Sequence, residues 1–315
     1  MRLPELRIGS LIAKVPVIQG GMAVRISTAP LAAAVASEGG IGLIAASGMT
    51  LDELRHEIRL ARHLTKGIIG INAMVAARQF ANLVKTAIEE GIDLVVAGAG
   101  FSRDMFQMGK DSGTPIVPIV SSVKLAKISE TLGASAIVVE GKEAGGHLGT
   151  DQSMRDLLPG IKKAVNIPVI GAGGVINGRD VAEVIKLGAD GVQMGTRFAA
   201  SEESNAGPAL KEFYLKSKPE DVVIIKSPVG LPGRAINNPF AAKTIEGTAP
   251  VPQTCDACLK HCAKNFCIIK ALIRAQQGDV ETGLVFTGEY IHKIKEILPV
   301  KEIFARLVKE AKEIE

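Results

Sequence analysis

A histidine set among glycines is the strongest candidate for acid–base chemistry in this chain. His147 lies within residues 140–149, which read EGKEAGGHLG. An imidazole has an ordinary pKa of about 6.5, close to working pH, as general acid–base catalysis requires. The glycines beside it would allow the ring to lie close to a planar ligand. The alternative is a loop histidine that only hydrogen-bonds the backbone.

Two glycine-rich turns indicate a phosphate site. Gly171, Gly173 and Gly174 follow one apolar run, and Gly195 and Thr196 follow the next. Because glycine has no side chain, the backbone N–H groups of such turns can approach phosphate oxygens. Glycine also serves tight connections that bind nothing, but two such turns in succession favour a flavin phosphate or a sugar phosphate.

Small polar groups and a third glycine turn could surround a flat ring. Gly20, Gly21 and Met22 follow the first apolar run, and this turn would let the backbone pack against a ring. Asn72 and Ser121 follow two later runs and could hydrogen-bond the edge of the ring. Each of these residues alone is compatible with an ordinary turn.

Four cysteines lie close together near the C-terminal end. Cys255, Cys258, Cys262 and Cys267 fall within thirteen residues. Four thiolates are the ligand set of a [4Fe–4S] cluster and of a zinc site with four cysteine ligands. Zinc sites usually contain two separated Cys-x2-Cys pairs, so the compact, uneven spacing favours iron–sulfur. The alternative is four reduced thiols without a metal.

Eight short apolar runs alternate with amphipathic stretches, and this pattern must position the candidate residues. The alternation is typical of βα units around a parallel sheet. It predicts an α/β protein with a (β/α)8 TIM barrel, whose functional groups gather at the carboxyl ends of the strands; a doubly wound open sheet is the alternative. The predicted strands are residues 15–18, 41–45, 68–73, 94–97, 116–120, 136–139, 169–170 and 191–194.

The alternation stops after Phe198, and a proline-rich stretch follows. We therefore expect three parts. Residues 1–200 would form the barrel, residues 201–254 a lid or excursion, and residues 255–315 a Cys-rich metal-binding segment. Helices predicted at residues 268–277 and 291–312 would complete the barrel.

The composition excludes several functional classes. The chain has 315 residues, 47% of them hydrophobic and 22% charged, which excludes a disordered or fibrous protein. Its net charge of +4 is not concentrated in basic blocks, so we expect no nucleic-acid partner. No apolar run approaches the ~20 residues of a membrane helix, and the charged N-terminus does not resemble a signal peptide. We expect a cytoplasmic protein with a small-molecule substrate, and a homodimer is one option.

Four motifs taken together resemble those of the FMN-dependent nitronate monooxygenases, formerly called 2-nitropropane dioxygenases. They are residues 19–22 (QGGM), 140–149 (EGKEAGGHLG), 171–174 (GAGG) and 193–198 (QMGTRF). The resemblance implies an enzyme that binds FMN and oxidises alkyl nitronates with O2. It also implies that His147 lies near the flavin and helps to handle the α-proton of the substrate.

The resemblance further implies where FMN would bind. The phosphate would lie at Gly173, Gly174, Gly195 and Thr196, and the ring near Gly21, Met22, Asn72 and Gly146. The full set of expected FMN contacts is Gly20, Gly21, Met22, Asn72, Ser121, Glu140, Gly145, Gly146, Gly171, Gly173, Gly174, Gly195 and Thr196.

The same motifs occur in a sister branch, the FMN-dependent enoyl-acyl-carrier-protein reductases, and in related NAD(P)H:quinone reductases. Residues 227–236 (SPVGLPGRAI) resemble the nitronate monooxygenases more closely, so an NAD(P)H-dependent reductase is the alternative. The four cysteines resemble a cysteine-bearing subgroup. An iron–sulfur centre would favour a reductase, because such a centre suits routine O2 turnover poorly. A colourless phosphate-binding isomerase and a cysteine-based redox sensor are further alternatives.

Overall fold

The computed structural model describes residues 1–314, and a closed barrel of parallel strands forms its centre. The strands are β1 (Leu6–Ile8), β2 (Leu11–Ala13), β3 (Val17–Gln19), β4 (Ile41–Ala45), β5 (Ile68–Met74), β6 (Leu94–Gly98), β7 (Ile116–Val120), β8 (Ile137–Glu140), β9 (Gly146–His147), β10 (Val169–Ala172), β11 (Gly191–Met194), β12 (Val222–Lys226) and β13 (Pro232–Ile236).

Most of the helices follow the barrel strands and cover the outside of the barrel. They are α1 (Ala29–Ser37), α2 (Leu51–Leu64), α3 (Phe80–Glu89), α4 (Asp104–Ser112), α5 (Val123–Leu132), α6 (Met154–Ala164), α7 (Gly178–Lys186), α8 (Thr196–Ala199), α9 (Pro208–Lys216), α10 (Pro239–Glu246), α11 (Ile268–Gln276) and α12 (Val300–Lys312), with short 3-10 helices at Pro219–Asp221 and Ile291–Lys293. None of them, within residues 1–314, is long and apolar enough to cross a membrane.

The barrel contains all eight strands that the sequence predicts. Its order is β3-β4-β5-β6-β7-β8-β10-β11, and parallel pairing of β11 with β3 closes the ring. The (β/α)8 barrel is therefore confirmed, and the open sheet is excluded.

Alternation along each strand separates two apolar layers. Inward residues such as Leu43, Leu94 and Ile170 fill the barrel, and Leu6 of the β1–β2 hairpin packs against the same cluster. Outward residues pack against the helices. Because the period of a strand is two, a polar residue two positions after an inward residue at a strand end points into the mouth of the barrel.

The stretch over residues 201–254 contains more regular structure than its proline content indicates. It forms α9, the antiparallel β12–β13 hairpin and α10. Pro208 and Pro239 occupy the first turns of helices, where the missing N–H costs nothing, and Pro232 is the first residue of β13, a position in a strand that tolerates proline.

The helix predicted over residues 291–312 is shorter in the structure. A 3-10 turn at Ile291–Lys293 is followed by an irregular segment, and α12 begins only after Pro299. Proline disfavours a helical residue before it, which explains the interruption. Helix α12 packs against α1 and α7 and so covers the part of the barrel that the four-residue α8 leaves open.

Close packing of α1 on β4 predicts a large effect at Gly42. A Cβ atom at Gly42 would overlap the backbone carbonyl of Ala32. We expect Gly42→Ala to lower the free energy of unfolding by ~1–3 kcal/mol, as overpacking does. Urea unfolding would measure it. The control is Gly160→Ala, at an exposed position of α6 where a Cβ atom meets nothing nearer than 4.0 Å. Equal stability of the two variants would contradict the prediction.

Candidate active site

A cavity of about 240 Å³ opens at the carboxyl ends of the barrel strands. It is the place where the sequence predicts the functional groups of such a barrel. Twelve of the predicted site residues line it: Gly20, Gly21, Met22, Asn72, Glu140, Gly145, Gly146, His147, Gly173, Gly174, Gly195 and Thr196.

Two of the residues expected to contact FMN, Gly171 and Ser121, do not line this cavity. A Cβ atom at Gly171 would meet Val184 of α7 and Met154 of α6, so this glycine faces the helix layer and allows close packing there. The hydroxyl of Ser121 donates to the carbonyl of Gly149 at 3.2 Å and connects two loops.

His147 is held by the hairpin that follows the barrel. It lies on β9, which pairs with β13 through His147 and Gly233, and the Leu148 N–H donates to the Pro232 carbonyl at 2.9 Å. Its ring packs edge-on against Phe286 at a centroid distance of 5.3 Å. Gly146 has a φ of 78°, a conformation that favours glycine before this strand turns into the cavity.

Removal from water makes the His147 imidazole neutral at neutral pH. Burial lowers its pKa to about 4, because the charged form loses its hydration. Its Nε2 atom lies 2.8 Å from the hydroxyl oxygen of Ser227. A neutral imidazole can accept a proton on one nitrogen and donate from the other, so the site has an acid–base group without a fixed positive charge.

Glu140 and Gln193 form the two polar ends of one row across the barrel. Register pairs Glu140 with Ala172, and Ala172 with Gln193, so all three point inward. With neighbouring strands ~4.8 Å apart, the two polar residues are separated by roughly 10 Å across the small Ala172. The Gln193 side-chain oxygen is buried and has no hydrogen-bond partner within residues 1–314. This row therefore offers an acceptor that a ligand can satisfy.

Glu140 faces the cavity as a neutral carboxylic acid at neutral pH. Burial raises its pKa to about 8. Within residues 1–314 its carboxyl makes no hydrogen bond or ion pair. A protonated carboxyl can donate a hydrogen bond, which a carboxylate cannot.

The glycine turn after β10 has the backbone expected of an anion cradle. Gly173 and Gly174 have φ values of 107° and 69°, so consecutive backbone N–H groups lie in a left-handed turn. A Cβ atom at Gly174 would lie 2.8 Å from the ring of Tyr290, whereas at Gly195 it would meet only Met22, at 3.8 Å. The turn is thus closed on the Tyr290 side and open at Gly195.

Several cavity residues were missed by sequence reasoning. Gln193, the third residue of the four-residue β11, was quoted as part of a motif but not as a cavity residue; a polar residue in a short apolar strand was the available signal. The segment of Phe286 and Tyr290 and the apolar face of α11, with Ile268 and Leu272, also line the cavity. Helical periodicity shows that α11 has an apolar face but not which surface it covers.

The four cysteines do not form a recognisable metal site. Cys255 is exposed and Cys258, Cys262 and Cys267 are half-buried, all as free thiols. Within residues 1–314, no group of three or more His, Cys, Asp or Glu side chains is arranged to hold a metal ion. Their loop is attached elsewhere through backbone bonds, from Arg78 N–H to the Cys258 carbonyl and from Ala263 N–H to the Pro228 carbonyl. The prediction of an iron–sulfur or zinc centre is therefore not supported.

Comparison with known proteins identifies the family. A family model described as nitronate monooxygenase matches residues 5–310. The chain belongs to the nitronate monooxygenase family. The resemblance inferred from the four sequence motifs is thus confirmed.

Relatives within and beside this family carry different names. A probable nitronate monooxygenase from Staphylococcus aureus (strain MSSA476) is 32% identical over 283 residues, covering 75% of this chain and 79% of that protein. A (3aS,4S,5R,7aS)-5-hydroxy-7a-methyl-1-oxo-octahydro-1H-indene-4-carboxyl-CoA dehydrogenase from Rhodococcus jostii (strain RHA1) is 33% identical over 222 residues, or 70% of this chain. The chain spans 62% of the length of that relative.

Solved structures show the same similarity in three dimensions. FabK from Thermotoga maritima matches with a TM-score of 0.86 and 38% identity, covering 95% of this chain and 93% of that one. A nitroalkane oxidase from Streptomyces ansochromogenes matches with a TM-score of 0.80 and 26% identity, covering 97% of both chains.

The buried acid at Glu140 predicts a pH-dependent stability difference. Its pKa is about 8 in the folded chain against an ordinary 4.5, so its contribution to stability is complete below 4.5 and is lost as pH rises to 8. Glu140→Gln avoids this loss. The free energy of unfolding of Glu140→Gln, relative to that of the unsubstituted protein, should therefore increase as pH rises. The increase should be smaller than the full ~1.4 kcal/mol per pH unit, because cavity water screens the charge.

Urea unfolding of the FMN-free proteins at about pH 5, 6.5 and 8 measures this difference. Glu220→Gln, at an exposed position, controls for the loss of a carboxylate elsewhere. A difference between Glu140→Gln and the unsubstituted protein that stays constant over the three pH values would show that Glu140 is not buried as an acid.

Proposed function

We propose that this protein is an FMN-dependent oxidoreductase that oxidises alkyl nitronates with O2. The observation that carries the proposal is the placement of His147, neutral at neutral pH, in a cavity bordered by glycine turns, in a member of the nitronate monooxygenase family. As in other flavoenzymes, FMN would supply the electron transfer between substrate and O2, and the protein would bind and orient the reactants.

The residues of the cavity fit this cofactor. The left-handed turn at Gly173 and Gly174, with Gly195 and Thr196 beside it, would hold the phosphate through backbone N–H groups. The unpaired oxygen of Gln193 needs a donor, and an N–H group on the edge of the flavin ring is one. Gly21, Met22, Asn72 and Gly146 would surround the ring.

Other residues of the cavity would surround the substrate. Ile268, Leu272 and Phe286 give the cavity an apolar wall that excludes water from the substrate. His147 would contact the substrate and move or hold a proton at its reacting end. Glu140, neutral at neutral pH, would donate a hydrogen bond toward the cofactor and add no negative charge near the anionic phosphate.

An NAD(P)H-dependent reductase of enoyl-acyl-carrier-protein or quinone substrates is the second candidate. The similarity to FabK fits it, as does the apolar wall of α11. We further propose that the protein works in the cytoplasm on a small molecule, as a three-part chain divided near residues 200 and 254, and that it can form a homodimer.

Purified protein should contain FMN and consume O2 with propyl nitronate. Replacing His147 with glutamine should preserve FMN binding and lower kcat/KM for the nitronate by ~10²–10⁴, the range expected for loss of an acid–base group. An oxygen electrode and the absorbance of released flavin provide the two readouts. His63→Gln, on the exposed surface of α2, is the matched control.

Three outcomes would count against the proposal. Protein that stays colourless after addition of FMN would mean that the cavity binds another phosphate. Faster NADH- or NADPH-dependent reduction of an enoyl thioester or quinone than nitronate oxidation would establish the second candidate. Unchanged nitronate turnover in His147→Gln would remove the catalytic role of His147.

The metal centre expected from Cys255, Cys258, Cys262 and Cys267 is a separate prediction that rests on their spacing. No step of the proposed reaction is assigned to it. If these cysteines bind a metal centre, anaerobically purified protein contains stoichiometric iron and sulfide, or zinc, and Cys258→Ser lacks that metal. Sub-stoichiometric metal in the unsubstituted protein would remove the prediction.

A further inference from the structure

The His147 ring has one side-chain hydrogen-bond partner within residues 1–314. Its Nε2 atom lies 2.8 Å from the hydroxyl oxygen of Ser227, which follows β12 and is buried. The Nδ1 atom of the ring has no partner among these residues. Since His147 lines the cavity, Nδ1 is the ring nitrogen left for a ligand.

The position of the Ser227 hydroxyl is set by the turn between β12 and β13. The Ser227 N–H donates to the Leu231 carbonyl at 3.3 Å, and the Gly230 N–H donates to the Ser227 carbonyl at 3.0 Å. The Val229 N–H also donates to the Ser227 hydroxyl oxygen, at 3.3 Å. Gly230 closes the turn with a φ of 88°, which favours glycine.

Counting hydrogens distinguishes two arrangements of this pair. A hydroxyl has one hydrogen to donate and two lone pairs to accept with. Val229 occupies one lone pair. If Ser227 donates its hydrogen to Nε2, all its contacts are satisfied; if Nε2–H donates instead, the buried hydroxyl hydrogen has no acceptor within residues 1–314. An unsatisfied buried donor costs ~1–3 kcal/mol, so the first arrangement is favoured.

We propose that Ser227 is a positioning residue that sets the tautomer of His147. Its hydroxyl donates to Nε2, and the proton of the neutral ring therefore lies on Nδ1, facing the ligand. His147 then presents an N–H donor to the substrate. This assignment rests on the proposed function, and it narrows the substrate class.

An N–H donor recognises an anionic oxygen and cannot remove a proton from carbon until it is deprotonated. A nitronate already carries negative charge on its oxygens and has lost its α-proton. A neutral nitroalkane still needs a base. The proposal therefore makes the preformed nitronate anion the substrate and the neutral nitroalkane a poor one.

Nitrogen-15 NMR of histidine-labelled, FMN-free protein tests the tautomer without any turnover. The His147 signals are assigned by their absence from His147→Gln. We expect Nδ1 protonated and Nε2 unprotonated in the unsubstituted protein and in Ser227→Thr, which keeps the hydroxyl. In Ser227→Ala we expect a shift toward Nε2–H, the tautomer that a histidine side chain in water favours. An unsubstituted protein with Nε2–H would overturn the proposal.

Kinetics with propyl nitronate and with neutral 1-nitropropane test the consequence. Ser227→Ala should lower kcat/KM for the nitronate by ~10–100-fold, comparable to misplacing a reacting group by about 1 Å, and Ser227→Thr should restore most of it. Ser217→Ala is the matched control, since Ser217 is also buried and its hydroxyl donates to the Phe213 carbonyl, away from His147.

The outcomes separate this proposal from the proposed function. Absence of nitronate turnover in the unsubstituted protein would remove the function, while the NMR signals would still report the tautomer. Equal kcat/KM for nitronate and nitroalkane, or a Ser227→Ala variant within twofold of the unsubstituted protein, would overturn the role assigned to Ser227. Circular dichroism of each variant verifies that it is folded.

Discussion

Pairing of the first and last barrel strands is the interaction on which the rest of the structure depends. Strand β11 aligns Met194 with Gln19, and the Gly20 N–H donates to the Met194 carbonyl at 2.9 Å. This contact closes the ring and brings the turn at Gly20 and Gly21 beside the turn at Gly195. The two turns are distant in sequence, and neither would border a cavity if the sheet were open.

Burial acts on the two titratable groups of the cavity in opposite directions. It raises the pKa of Glu140 and lowers that of His147, and both groups are neutral near pH 7. The interior of the cavity thus presents hydrogen-bonding groups in place of charges. Oriented dipoles and N–H groups of this kind interact more strongly with an anion where water is excluded.

Much of the barrel and part of the site follow from local pattern. Apolar runs predict the strands, and alternation predicts that Asn72 and Glu140 face the mouth of the barrel. The two-residue strand β9 and the partnership of His147 with Ser227 depend on contacts between distant segments, which no local pattern encodes. The spacing of the four cysteines likewise does not determine whether they bind one metal ion, because it gives the number of thiols but not the direction of their side chains.

The β12–β13 hairpin contributes backbone pairing to His147 through Gly233 and a hydroxyl through Ser227. Arg234 of the same hairpin donates to the Lys142 carbonyl at 2.7 Å, so the hairpin is also bonded to the loop that precedes His147. In engineering terms, this hairpin is not an independent module, because replacing it also replaces the groups that hold His147. A chimera with a foreign hairpin would therefore change the hydrogen bonding of His147, and with it the reactivity of the site, even though the residues that line the cavity stay the same.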